Sequence, residues 1–306
     1  MPDMKLPKGV QVFERGWLSS NNILLTGDAS CALVDSGYST HSAQTVDLVQ
    51  SALGPRSLDL LLNTHLHSDH CGGNAALQQV YPELETLIPP GQAALVSVWD
   101  AEALTYLPTG QLCPRFKYDA CLLPGSEILL AGVPWQIHAA PGHDPHSVVL
   151  FESSSRTLIS ADALWEKGFG VVFPELEGES AFSEVGATLD LIEQLDPYRV
   201  IPGHGPVFKY RAEVLARSRE RLDAFVKSPA RHAHHAAKVL LKFKLLEQQQ
   251  LPYVDFANWA TGTRYFQLIR ESFFRAIPMT DWIAQLTDEL VHSAVASKEG
   301  AMVFNT

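Results

Sequence analysis

The sequence predicts an α+β fold: strands and amphipathic helices through the first two thirds, followed by a C-terminal helical extension. Three observations predict it. Short apolar runs alternate with amphipathic stretches through the first two thirds of the chain. Several of those runs end in a turn that bears His or Asp. From about Tyr210 onward the apolar period becomes helical. A chain of 306 residues with 46% hydrophobic content can bury a large core. Its length suits one domain of about 200 residues plus an appendage. We therefore expect a main domain over 1–209 and an extension over 210–306.

The elements follow in order. Val10 to Phe13 and Asn22 to Leu25 read as strands, and Gly27-Asp28 as a hairpin turn before a strand from Cys31 to Val34. Ser42 to Leu53 is an amphipathic helix, with Val46, Val49 and Leu53 on one face. Leu58 to Leu62, interrupted only by Asp59, is a buried strand. Asn74 to Val80 is a helix, and Pro89-Pro90-Gly91 opens another through Asp100. Residues 101 to 125 are loop-rich, with Pro108, Gly110, Pro114, Pro124 and Gly125. Strands then run over Val133 to Ile137, Val148 to Phe151, Thr157 to Ala161 and, after a helix from Ala181 to Gln194, Val200 to Ile201. The extension reads as helices over Ala212 to Lys227, Lys238 to Gln250, Thr263 to Arg275 and Thr280 to Val295. Pro252, Gly262 and Pro278 punctuate them. There is no repeat and no low-complexity tract.

The stretch Thr64-His65-Leu66-His67-Ser68-Asp69-His70 holds four candidate metal ligands within six positions, directly after a buried strand. His65 and His67 are two apart, so an extended backbone projects them to the same side. Asp69 and His70 follow the bend and face a second point, which suits two neighbouring cations. His143 lies in the turn Pro141-Gly142-His143-Asp144-Pro145-His146-Ser147. Asp162 ends the strand from Thr157, and His204 is bracketed by Gly203 and Gly205. The count closes at two sites: His65, His67 and His143 form one, and Asp69, His70 and His204 the other. Asp162 bridges them and leaves room for water.

With these motifs the chain resembles the metallo-β-lactamase superfamily, whose H-x-H-x-D-H signature matches His65 to His70. The P-G-H turn, the strand-end Asp162 and the G-H-G at His204 match too, over roughly residues 10 to 210. The resemblance implies a four-layer αββα sandwich with the metals at one open edge. It also implies that Asp35, in Leu33-Val34-Asp35-Ser36-Gly37, supports the site without binding metal. The extension resembles that of glyoxalase II-like hydrolases, where helices wall the substrate cleft.

The expected cofactors are two divalent metal ions. Zinc comes first because the ligand set is nitrogen and carboxylate without thiolate, with iron or manganese as alternatives. The expected activity is hydrolysis of an ester, thioester or lactone-type small molecule by a hydroxide held between the two ions, with Asp69 as catalytic residue orienting the water. Phosphodiester cleavage, or a mononuclear iron sulfur dioxygenase of the same fold, are the alternatives. Asp35, Asp59 and His146 are expected behind the ligands, with His146 more a structural residue than a leaving-group contact. Trp165 and Phe169 offer an apolar substrate wall and Lys167 an anion anchor; Tyr106 and Trp99 are vaguer candidates. The triplet His232, His234 and His235 reads as the solvated first turn of a helix, and Cys71 as a small thiol packed under the metal turn.

Charge and composition bound the partners. A net charge of -11 disfavours nucleic acid. Met1 to Pro7 carry no apolar leader, and no stretch approaches the roughly 18 uncharged apolar residues of a membrane span. A cytoplasmic protein without membrane attachment is the expectation. Cys31, Cys71, Cys113 and Cys121 suggest no disulfide framework. The apolar stripes of the extension must cover the cleft or pair in a homodimer.

Overall fold

A computed structural model describes residues 5–306. The leaderless reading rests partly on residues 1–4, which lie outside the described residues. Strands β1 (Val10–Phe13), β2 (Asn22–Thr26), β3 (Cys31–Val34), β4 (Leu60–Leu62), β5 (Glu85–Ile88) and β6 (Ala120–Cys121) form one sheet in sequential order. It is antiparallel from β1 to β3 and parallel from β3 onward. Helix α1 (Ser42–Leu53) connects β3 to β4, and α2 (Ser68–Cys71) with α3 (Asn74–Val80) connects β4 to β5.

Strands β7 (Glu127–Leu130), β8 (Val133–Ala139), β9 (Val148–Glu152), β10 (Thr157–Ala161), β11 (Arg199–Pro202) and β12 (Phe208–Lys209) form the second sheet. Only β10 and β11 pair in parallel there. Between the sheets Ile23, Leu25, Val34 and Leu62 pack against Trp135, Ile137, Leu150 and Ile201. Strand alternation sends Leu24 and Leu33 to the other face, onto Val49 and Leu53 of α1 and Leu77 of α3. On the opposite outer face Val149, Leu158 and Val200 meet Val185, Leu189 and Ile192. Both faces of β9 and β10 are covered, so every residue of each is buried. Each fully buried Leu or Ile contributes about 1.5–3 kcal/mol.

The helix expected from Pro89 to Asp100 is shorter. A single 3-10 turn leads into α4 (Ala93–Val98), which stops where Trp99 turns left-handed. The loop-rich stretch holds one further turn, α5 (Tyr106–Thr109). After it come α6 (Phe173–Leu176), α7 (Phe182–Leu195) and α8 (Ala212–Lys227). Val214, Leu215, Leu222 and Phe225 of α8 pack into the core that α7 makes with the second sheet.

The unit with a core of its own therefore starts at α9 (Pro229–Gln248). It continues through α10 (Tyr253–Gly262), α11 (Arg264–Phe273) and α12 (Met279–His292). The extension is helical as expected, and it also carries a three-stranded sheet of Gln250–Pro252, Ala296–Glu299 and Met302–Asn305 with the last strand central. The stripes also pack mostly on one another, with Val171 and Leu176 as the sandwich's contribution to that core. No helix among the described residues is long and apolar enough to cross a membrane.

Candidate metal centre

Strands β3, β4, β10 and β11 end at one edge of the sandwich, with Asp35, the His65 to His70 loop, Asp162 and His204 just beyond them. The loop after β4 is pinned from behind. Asn63 donates to the His70 carbonyl at 3.1 Å and accepts from Asn74 at 2.6 Å. The register of β10 on β11 shifts between Ile159 and Ala161, and Ala161 is left-handed (φ 47°), which turns Asp162 inward. Two glycines make room. A Cβ on Gly203 would overlap the Asp162 carboxylate, and one on Gly170 would overlap the His143 ring.

The structure brings all seven expected ligands together. Single donor atoms of His65, His67 and His143 lie within 4.8 Å of one another, as do those of Asp69, His70 and His204. Asp162 joins a third such group with His65 and His70. Its two oxygens face both halves: Oδ1 lies 3.5 Å from His70 Nε2, and Oδ2 lies 3.4 Å from His143 Nε2 and 3.9 Å from His204 Nε2.

Backbone and carboxylate acceptors orient the rings. His143 Nδ1 donates to the Val171 carbonyl at 2.5 Å, His204 Nδ1 to the Gly16 carbonyl at 3.2 Å, and His70 Nδ1 to Asp35 at 2.8 Å. Each leaves Nε2 facing the centre. His65 Nε2 and His70 Nε2 are buried without any partner. Leaving such an atom unpaired costs about 1–3 kcal/mol. A cation at each position removes that cost, so the donors present fit a two-metal centre.

The charges agree. Burial, then the neighbouring His70, His67 and His143, holds His65 well below the ordinary histidine range; burial and His143 bring His67 to about 4. Both rings keep a lone pair to offer. Burial would raise Asp162 and Asp69. The facing His204 and His70 outweigh it, so both carboxyls fall below their usual range.

Other expected residues separate. Asp35 accepts from Thr64 N–H at 2.9 Å and from its hydroxyl at 2.8 Å, besides His70, and supports the ligand loop. Asp59 does not: it accepts from Cys31 N–H at 2.7 Å, away from the centre. The His146 ring packs against Gly91, in keeping with the structural role favoured for it, and from the same turn Asp144, next to His143, lies 3.9 Å from His67. Cys71 is buried; its thiol donates to the Leu66 and His67 carbonyls and sits 3.7 Å from Cys113. The histidine triplet is not a solvated turn. His232 is buried and accepts the Val172 N–H at 3.0 Å, His234 pairs with Glu289, and His235 accepts from Arg221 at 2.8 Å.

A cleft of ≈ 520 Å³ opens on the centre. Trp165 donates to Asp162 Oδ1 at 3.1 Å. Lys167 is an exposed part of the wall, and Phe169 lies almost wholly buried beneath it. Tyr106 lines the cleft, whereas Trp99 packs behind it on Tyr106 and Phe116. Sequence reasoning missed Trp17, which is 57% exposed yet stacks on His204 at 5.4 Å and meets Trp165 edge-on. It also missed Phe173, which meets the His67 ring at 4.9 Å. Only their distance in sequence from the motifs hid them. Helix α9 supplies Val239, Leu240 and Phe243 to the wall.

Known proteins resemble this chain. The family model of the metallo-beta-lactamase superfamily matches residues 15–204. The beta-lactamase-like protein 2 homolog of Caenorhabditis elegans is 24% identical over 243 residues, 78% of this chain and 70% of that protein. A hydroxyacylglutathione hydrolase of Anaeromyxobacter dehalogenans is 29% identical over 161 residues, 52% of this chain, and the chain spans only 52% of that enzyme. The structure of a metallo-beta-lactamase family protein from Thermus thermophilus covers 99% of this chain and 100% of its own, with TM-score 0.57 and 19% identity. TTHA1623, solved in a di-iron-bound form, covers 68% of this chain and 98% of its own, with TM-score 0.54 and 25% identity. Strand-end ligands, a four-layer sandwich and a family match over most of the sandwich agree: this chain belongs to the metallo-beta-lactamase superfamily.

Proposed function

We propose that the chain is a dinuclear metal-dependent hydrolase of small acyl compounds, with thioesters ahead of other esters and lactones. One observation carries this reading: the unpartnered Nε2 atoms of two buried histidines, His65 and His70, cluster with Asp162, and Asp162 lines a largely apolar cleft of small-molecule size together with His67, Asp69, His143 and His204. The likeness to a hydroxyacylglutathione hydrolase supports the thioester. The net charge of -11 supports a small molecule over nucleic acid.

When bound, two divalent cations, zinc first, supply water activation and an electrophile for the carbonyl oxygen. His65, His67 and His143 would hold one; Asp69, His70 and His204 the other; Asp162 would face both. The chain's own groups do the rest. Asp69 Oδ2 is 3.1 Å from His204 Nε2 and lines the cleft, so it can hold the attacking water and take its proton. Trp17, Trp165 and Phe173 keep bulk water from the acyl group. Water adds to the carbonyl carbon, the C–S bond breaks, and the thiolate leaves with the proton that Asp69 releases.

The test is a turnover panel of a thioester, an ester, a lactone and a phosphodiester, run with elemental analysis on the same preparation. We expect two ions per chain and fastest turnover of the thioester. A single iron with no acyl hydrolysis, or a phosphodiester preferred over every acyl substrate, overturns the reading.

A further inference from the structure

The wall of the cleft carries a cation that no carboxylate among the described residues pairs with. Arg221 of α8 lines the cleft together with His67 and Asp69. It also lines a second hollow with Arg217, Arg231 and Lys238, and His235 of α9 borders both spaces too. The guanidinium sits over the Phe169 ring at 5.5 Å and the Phe225 ring at 5.2 Å. Among the described residues its one hydrogen bond is Nη2 to His235 Nε2 at 2.8 Å, and no carboxylate lies within ion-pair distance. Its Nε is buried and unpartnered. Elsewhere in α8 and α9 several cations are paired: Arg219 with Asp190 and Glu193, Lys238 with Glu289, Lys244 with Glu247.

A half-buried arginine held against two rings, with no counter-charge, is a poor device for stability. Burial and Arg231 both disfavour its charge. It is a good device for an anion, because the rings and His235 hold the guanidinium in place and leave donors free for a phosphate or carboxylate. Two carboxylates, Glu220 and Glu289, face four permanent cations in the adjoining hollow, and Glu289 is already engaged by Lys238 and His234. On a chain with net charge -11 this is a local inversion of sign.

We propose that Arg221, oriented by His235, anchors an anionic group on the thiol arm of the substrate, with the acyl end at the metal centre and the arm reaching toward the cationic hollow. This rests on the thioester reading above. The ligand chemistry is a phosphate or carboxylate carried on a thiol, as in a nucleotide-bearing thiol or a peptide thiol. Lys167, on the exposed part of the same wall, would approach that group from the solvent side.

Two measurements test it separately from the hydrolysis. Calorimetry on the metal-loaded protein uses S-methyl thioethers of three arms: coenzyme A (phosphates), glutathione (carboxylates) and N-acetylcysteamine (neutral). Kinetics use thioesters of one acyl group on the same arms. We expect one anionic arm to bind at least about tenfold tighter than the neutral one, the effect of one charge-assisted contact. Arg221→Gln should erase that difference, raising KM for the anionic thioester with kcat little changed and the neutral thioester unaffected. Arg221→Lys should recover part of it. Which arm wins tells phosphate from carboxylate. Equal binding of all three arms, or a loss in Arg221→Gln that is the same for neutral and anionic arms, overturns the anchor. Arginine-dependent binding without turnover of any thioester upholds the anchor and overturns the thioester reading. Melting curves of both variants exclude misfolding as the cause.

Discussion

The Asp35 carboxylate accepts the Nδ1 proton of His70 at 2.8 Å, and both side chains are buried. This contact fixes the tautomer that points His70 Nε2 at the centre. Asp35 is itself held in a left-handed backbone conformation (φ 59°) at the end of β3, and Thr64 occupies both its oxygens. A substitution here would act on metals held at the centre from behind. We expect Asp35→Asn to weaken the more labile metal by about 10–100-fold. Competition with a chromophoric chelator reads this directly, and unchanged affinity for both ions would remove Asp35 from the support of the centre.

Asp162 faces both halves of the centre, so its loss should be felt in both. Elemental analysis of Asp162→Ala should show fewer than one ion per chain after dialysis, whereas His204→Ala should keep close to one. Equal stoichiometry in the two variants would mean that Asp162 serves only one site.

The cluster of seven His and Asp side chains was legible because its members sit at or just beyond the ends of apolar strands, and strand ends are easy to read. Asp35 was legible by motif, and its geometry agrees. Asp59 was not, because closeness in sequence to a ligand is no measure of closeness in space: it turns back to β3. Trp17 and Phe173 reach the site from segments that carry no ligand pattern. The terminal hairpin escaped because Ala296–Glu299 shows little apolar alternation, Ala-Ser-Lys-Glu, and gains its order from pairing with Met302–Asn305. His232 misled for a related reason. Polar neighbours suggest solvent, and its burial comes from the Phe182 and Phe225 rings of other elements.

Asp69 combines a ligand position with access to the cleft, where its side chain is 15% exposed. If it holds the attacking water, the contact matters most in the transition state. Asp69→Ala should lower kcat by about 10²–10⁴-fold, with a much smaller change in KM. The variant must be assayed with its metal content measured. Full turnover at full metal loading would refute the role.

His232 makes stability fall with acid. Burial, and then Arg221, lowers its pKa to about 4 from 6.5. Between those values the unfolded chain binds more protons than the folded one, so the stabilising contribution is complete above 6.5 and is lost as the pH falls toward 4. The full effect is roughly 3 kcal/mol for one such group. His232→Gln keeps an acceptor for Val172 N–H and cannot protonate. Its melting temperature should fall less than that of the parent between pH 7 and pH 5. Parallel melting curves across that range would show that this ring binds protons equally in the folded and unfolded chain.

The last prediction separates two cuts in the chain. Ending it at Tyr210 removes Val214, Leu215, Leu222 and Phe225 from the core beneath the second sheet. Four such side chains are worth about 6–12 kcal/mol, which approaches the whole stability of a domain. That fragment should not fold. Ending it at Ser228 keeps α8 and removes the unit that has a core of its own. The sandwich then gives up the Tyr38–Glu247 hydrogen bond, the acceptor for Val172 N–H and the cleft wall at Val239, Leu240 and Phe243. This fragment should fold and bind metal, yet lose most of its acyl hydrolysis, because Val172 belongs to the segment whose Val171 carbonyl holds the His143 ring. Circular dichroism, metal content and a thioester assay on both fragments decide it. Full activity in the Ser228 fragment would show that the last helices wall no part of the substrate site, and a folded Tyr210 fragment would show that α8 belongs with them.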